Sequence, residues 1–180
     1  MKKILETERL FLREMEQGDF LHLCRVLQDL DVMYAYEHAF CDEEVQEWLD
    51  RQIARYREYG FGLWAAALKE SGNIIGQCGL TMQAAGGRQV LEIGYLFEKA
   101  YWPRGYATEA AIACKEYAFR HLQAEELYSI IRDNNLASQR VALRNGMSLV
   151  GRTTKFYYHQ NMPHLIFSVK RTDSASHVGH

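Results

Sequence analysis

Residues 90–110, VLEIGYLFEKAYWPRGYATEA, decide the reading of this chain, because an apolar β-type run meets a helix start through the turn Arg104-Gly105-Tyr106-Ala107. The amides of a helix's first turn have no intrahelical acceptor and sit at the positive end of its dipole. A diphosphate can dock on them wherever the backbone is bare. Gly105 bares it, Ala107 keeps the next turn small, and Arg104 adds a fixed positive charge beside the amides. A lone glycine turn also arises from simple tight packing of a helix on a strand, so its weight depends on what surrounds it.

Four features surround it: an opening strand TERLFLRE at 7–14, Trp102 and Arg104 flanking the turn, Thr108-Glu109-Ala110 just after it, and Asn135-Leu136-Ala137-Ser138 downstream. In order and spacing the segment resembles the acetyl-CoA pyrophosphate loop of the GNAT N-acetyltransferases, in the branch related to RimJ/RimL-type ribosomal-protein N-terminal acetyltransferases. Trp102 stands where the wider family often has Gln or Arg, a departure familiar in that branch. Asn135 to Met147 resembles the family's second cofactor motif, N-x-x-S-x-x-V-L-x-x-x-G-F, with Met147 in the aromatic's place.

Length and composition bound the rest. At 180 residues, 48% apolar with two prolines, the chain suits one domain with a real core, expected over 1–171, followed by a flexible tail over 172–180. A formal charge of −2 gives no global attraction for nucleic acid, and no apolar run approaches the roughly 20 residues of a membrane span. The N-terminus MKKILETERL lacks the uninterrupted apolar stretch of a signal peptide, so a cytoplasmic location is expected. Cys24, Cys41, Cys78 and Cys114 are scattered without C-x-x-C or Cys/His metal spacing and read as free thiols, with no metal expected. Oligomeric state is not legible.

Along the chain, residues 4–14 read as a first strand, Phe20–Leu30 and a segment from Asp42 as helices, and Gly60 onward as a strand, a turn at 70–73 and its partner at 74–82. The segment 84–89 reads as a loop. A strand at 90–97, a helix at 105–121, a strand at 127–132 and a helix at 136–145 ended by Gly146 follow. A closing hairpin occupies 148–170 with its turn at 159–162. The order β-α-α-β-β-β-α-β-α-β-β is that of an α/β fold. The resemblance implies a single-domain GNAT fold, with a mixed, mostly antiparallel central sheet splayed at the cofactor cleft and flanked by helices.

Direct acetyl transfer needs a held thioester, a neutral amine, a route for its proton and donors for the developing carbonyl charge. The resemblance implies that the backbone of Tyr95, Leu96 and Phe97 pairs with the pantetheine arm, that the amides of Arg104, Gly105, Tyr106, Ala107 and Thr108 bind the pyrophosphate, and that Asn135 contacts the arm. Many relatives carry a tyrosine seven residues past this Asn as the thiolate acid. Here that position is Ala142, and Ser138 or a water takes the role. Glu92 is the candidate base, a carboxylate inside an apolar strand on the same face as Gly94 and Leu96. A solvent-facing or salt-bridged strand glutamate has the same pattern, and Asn135 and Ser138 also suit any turn and N-cap. Tyr34, Glu37, His38 and Tyr158 are expected over the acceptor site, with Tyr157 and His159 as further candidates, although such residues also pack as surface clusters. Glu109 is explained by the helix dipole or a structural ion pair.

The expected activity is therefore transfer from acetyl-CoA, the cosubstrate, to a primary amine, of which a protein N-terminal α-amine is one candidate. A small-molecule amine (polyamine, amino acid, aminoglycoside) and a non-catalytic acyl-CoA-binding module remain as alternatives. Acceptor choice is assigned to loops 31–41, 84–89 and 159–164.

Overall fold

Apolar runs with residues of alternating size build the sheet, and helical spacing of Leu, Val and Ala builds the layers that cover it. A computed structural model describes residues 2–174. In chain order the elements are β1 (Lys3–Glu6), β2 (Leu10–Arg13), α1 (Phe20–Leu27), α2 (Asp42–Tyr59), β3 (Leu63–Leu68), β4 (Ile74–Ala85) and β5 (Arg88–Phe97). They continue with α3 (Tyr106–His121), β6 (Glu126–Arg132), α4 (Leu136–Arg144), β7 (Ser148–Tyr157) and β8 (Gln160–Lys170). Of the tail expected from residue 172, Arg171–Ser174 form a helical turn, α5, and the remainder lies outside the described residues.

The eight strands form one sheet in the order β1-β2-β3-β4-β5-β6-β8-β7, antiparallel except where β5 meets β6. β3, LWAAAL, is buried on both faces, and alternation divides it between two cores. Trp64 and Ala66 face α3 and α4 through Ala110, Ala111, Cys114, Ala118 and Val141. Leu63, Ala65 and Ala67 face α1 and α2 through Leu23, Leu27, Val45 and Leu49. Helices on both faces explain why this strand reads as a continuous apolar run.

Three expectations are corrected. The strand expected over 4–14 is a hairpin, because the Thr7 hydroxyl accepts the Leu10 amide at 2.9 Å while the Thr7 amide donates to the Leu10 carbonyl at 2.8 Å, turning the chain at Glu8. The loop expected over 84–89 shrinks to Gly86-Gly87, whose φ values of 57° and 78° let a two-residue turn close the β4/β5 hairpin. The turn expected at 159–162 is Tyr158-His159, also at positive φ, with β8 already begun at Gln160. Cys78 and Cys114 are free and buried, their Sγ atoms 3.6 Å apart. Among the described residues no helix is long and apolar enough to cross a membrane, and no cluster of three or more His, Cys, Asp or Glu could hold a metal.

Candidate active site

Among the described residues the sheet has one parallel pair, β5 with β6, and it splits there. β4 and β5 are matched at ten positions from Gly76↔Phe97 to Ala85↔Arg88, whereas β5 and β6 are matched at one, Glu92↔Tyr128. Side chains reinforce that joint: the Glu92 carboxylate accepts the Ile130 amide at 2.7 Å, and the Ser129 hydroxyl donates to the Ile93 carbonyl at 3.2 Å. Beyond Ile93 the β6 side of β5 is left without a strand partner through Tyr95, Leu96 and Phe97, the open edge an extended ligand requires. A cavity of about 440 Å³ opens at the split.

Gly105 caps α3 with φ 84°, a left-handed conformation that only glycine adopts freely. The first backbone bond of α3 runs from the Glu109 amide to the Gly105 carbonyl at 3.0 Å, so the amides of Tyr106, Ala107 and Thr108 have no acceptor within the helix. Glu109 anchors this end: its carboxylate accepts from the Thr7 hydroxyl at 2.6 Å, the Arg9 amide at 2.8 Å and the Arg9 guanidinium at 2.7 Å. These partners hold the Glu109 carboxyl below the usual range against the opposing effect of burial. Arg9, which the sequence reading did not single out, also donates to the Arg104 carbonyl at 3.0 Å and lies 4.1 Å from the Tyr106 ring centroid. The turn thus carries two guanidiniums, Arg9 and Arg104, and unpaired helix amides, a donor set that suits a diphosphate.

Across the split, the Asn135 side-chain oxygen accepts the Ser138 amide at 3.2 Å and the Tyr34 hydroxyl at 2.8 Å, capping α4. The Tyr95 hydroxyl donates to the Ser138 carbonyl at 2.8 Å, tying the free edge of β5 to the start of α4. Asn135, Ser138, Glu92, Gly94, Tyr95 and Leu96 all line the cavity. Ala142 is 2% exposed and packs into the core with Val141. Burial pushes the Glu92 carboxyl up to about 7, opposed first by Lys155, then by the Ile130 amide and Arg55.

The four expected acceptor residues sit beside the cavity wall. Tyr34 is committed to Asn135, and Glu37 forms an ion pair with Arg132. His38 bonds Glu44 at 2.8 Å and stacks on Tyr158 with ring centroids 4.2 Å apart. Their neighbours Ala35, Tyr36, Phe156 and Tyr157 supply the lining, together with Trp48, Arg51, Arg55, Lys155 and His164, which sequence reasoning missed. A usable signal existed in the spacing of Trp48, Arg51 and Arg55 by three and four, which aligns them on one face of α2.

A splayed mixed sheet with an anion-receptive helix start beside the split is the architecture of the GNAT acetyltransferases. The chain belongs to that family: the model of the Acetyltransferase (GNAT) domain matches residues 9–148. The uncharacterized protein YkkB of Bacillus subtilis is 39% identical over 147 residues, covering 81% of this chain and 86% of that one. Among solved structures, an acetyltransferase from Agrobacterium tumefaciens superposes with a TM-score of 0.79 at 25% identity, covering 95% of each chain. The alpha-N-protein acetyltransferase RimL, solved with coenzyme A, superposes with a TM-score of 0.73 at 15% identity over 94% of this chain and 98% of that one, a likeness of fold.

Proposed function

We propose that this protein carries the acetyl group of acetyl-CoA directly to a primary amine, with Glu92 taking up the amine's proton. The observation that carries the reading is the position of Glu92: a carboxyl raised to about 7 stands in the cavity wall where β5 and β6 part, beside backbone free to hold an extended arm. Acetyl-CoA, when bound, supplies the activated thioester. The amides of Tyr106, Ala107 and Thr108 with Arg104 and Arg9 would take its diphosphate, and the edge at Tyr95, Leu96 and Phe97 would take its pantetheine arm. Asn135 would add its side-chain NH2, since its oxygen is already used. Backbone amides of the same edge would receive the carbonyl oxygen as charge develops. Ser138, in the cavity wall, is the hydroxyl available to the departing sulfur.

The acceptor proposed is an α-amine such as a protein N-terminus, which the RimJ/RimL resemblance of the motifs supports, and a cytoplasmic setting accords with four free cysteines. Isothermal titration and thermal shift with CoA test the first half. Binding in the micromolar range, about 8 kcal/mol, is expected. Release of free CoA across an amine library, with mass spectrometry of the product, tests the second. Absence of heat and of thermal shift at saturating CoA would remove the proposal.

A further inference from the structure

The cavity carries more positive charge than the protein itself neutralises. Four cations line it: Arg51 and Arg55, one turn apart on α2, Arg132 at the end of β6, and Lys155 on β7. Glu92 is the single carboxyl among the lining residues. Arg132 is committed to Glu37 and to the Ala35 carbonyl. Among the described residues the other three form no ion pair.

Arg55 is held in place without being neutralised. Its guanidinium donates to the Gln52 side-chain oxygen at 3.2 Å, and that fully buried amide is itself fixed by the Leu63 amide at 3.1 Å. Burial, then repulsion from Arg51, holds Arg55 below its ordinary range. The acids of the neighbouring segment are engaged elsewhere, Glu37 on Arg132 and Glu44 on His38. Three unpaired cations lining a cavity with one carboxyl repel an incoming polycation and attract an anion. The same field favours the neutral form of a bound amine, which is the nucleophilic one.

We infer, on the transferase reading above, that the acceptor is a primary amine bearing its own carboxylate or equivalent anion, which Arg51, Arg55 and Lys155 receive while the amine faces Glu92. Polycationic amines are excluded. Tyr36, Trp48 and Tyr157 in the same wall supply apolar surface for the body of such a molecule.

The test compares kcat/KM at saturating acetyl-CoA within matched pairs: free α-amino acids against their primary carboxamides, and peptides with glutamate or glutamine at the second and third positions. Spermidine serves as the polycation. The acidic member is expected to exceed its neutral partner by about 10- to 100-fold, the range of one charge-assisted hydrogen bond, and the set in which this appears separates a free amino acid from a peptide. In Lys155→Gln the preference falls toward unity while the Kd for CoA is unchanged, and Arg55→Gln, where folded, does the same. Equal kcat/KM within every pair, or spermidine above the acids, overturns the inference. If no amine is turned over, the transferase reading is what fails. Titration of N-acetyl amino acids and their carboxamides into the protein with CoA then decides: tighter binding of the acids supports the inference, and equal or absent binding overturns it.

Discussion

Replacing Glu92 by Gln separates its two jobs, because glutamine keeps an oxygen for the Ile130 amide at 2.7 Å and loses only the capacity to hold a proton. A positioned general base contributes about 10²–10⁴ in rate, so turnover should fall by that factor with CoA affinity little changed. The wild-type rate should climb with pH through about 7, the value to which burial raises this carboxyl, and stand at roughly a tenth of its plateau at pH 6. The variant's profile should lose the rise centred near 7 and keep only the rise that loss of the acceptor amine's own proton gives. Stability moves with the opposite sign. Between about pH 4.3, where an unfolded glutamate ionises, and about pH 7 the folded state binds more protons than the unfolded one, so stability declines as pH rises. The decline is at most about 3–4 kcal/mol and less after screening, because Glu92 is partly exposed at the cavity wall. Glu92→Gln should therefore melt above wild type at pH 8 and lose that advantage at pH 5. Near wild-type turnover with chemistry limiting, or a flat wild-type profile from pH 6 to 8, would refute the assignment. His164 would then be the next candidate, a cavity-lining imidazole that burial keeps below its usual range and hence neutral.

Gly105→Val forces a β-branched residue to φ 84°, which costs about 1–2 kcal/mol and lowers Tm by a few degrees, while the side chain blocks the diphosphate's approach to the amides. Unchanged CoA affinity by titration would place the diphosphate elsewhere. Ser138→Ala should slow turnover about 10-fold, equivalent to about 1.4 kcal/mol, and equal rates would confine Ser138 to its helix start. Ala142→Tyr should not rescue that loss, and it overfills a position that is 2% exposed, at a cost of about 1–3 kcal/mol. An unaltered melting temperature would show that the new ring had found space outside the core.

What the sequence disclosed depends on how locally each feature is determined. Helix α2 was legible because Val45, Leu49 and Ile53 repeat at helical spacing after Asp42, although Gly60, read as the start of the next strand, is its left-handed terminator. Gly105 was legible for the same reason, since a bare turn before a helix is a property of adjacent residues. The β1/β2 turn was not: Thr7 and Leu10 close it locally, but Thr7-Glu8-Arg9-Leu10 has no Gly, Pro or Asn to mark a turn, and the Glu109 carboxylate that receives the Thr7 hydroxyl and the Arg9 amide comes from 100 residues beyond Arg9. The spacing of Trp48, Arg51 and Arg55 puts them on one face of α2, but that this face borders the cavity follows from the packing of α2 beside the split and not from the spacing. Glu37 and His38 were expected over the acceptor site, with a packed surface cluster as the alternative. Arg132, the partner of Glu37, and Tyr158, on which His38 stacks, come from β6 and the β7/β8 turn, beyond the reach of a local pattern, whereas Glu44, which binds His38, lies only six residues on.

The split in the sheet also divides the chain by origin. Residues 3–97 pair their strands in unbroken sequence order, residues 126–170 pair among themselves, and one parallel register position joins the two units. The first unit contains the long connection from β2 to β3 through α1 and α2, and the two units are joined through the crossover that carries α3. Glu92 and Arg55 come from the first unit and Ser138 and Lys155 from the second, so the relative setting of the two units fixes how these groups face one another. A substitution that leaves both units internally intact can therefore redirect the chemistry by shifting the join, which makes this line the place where acceptor range changes at least cost to the fold.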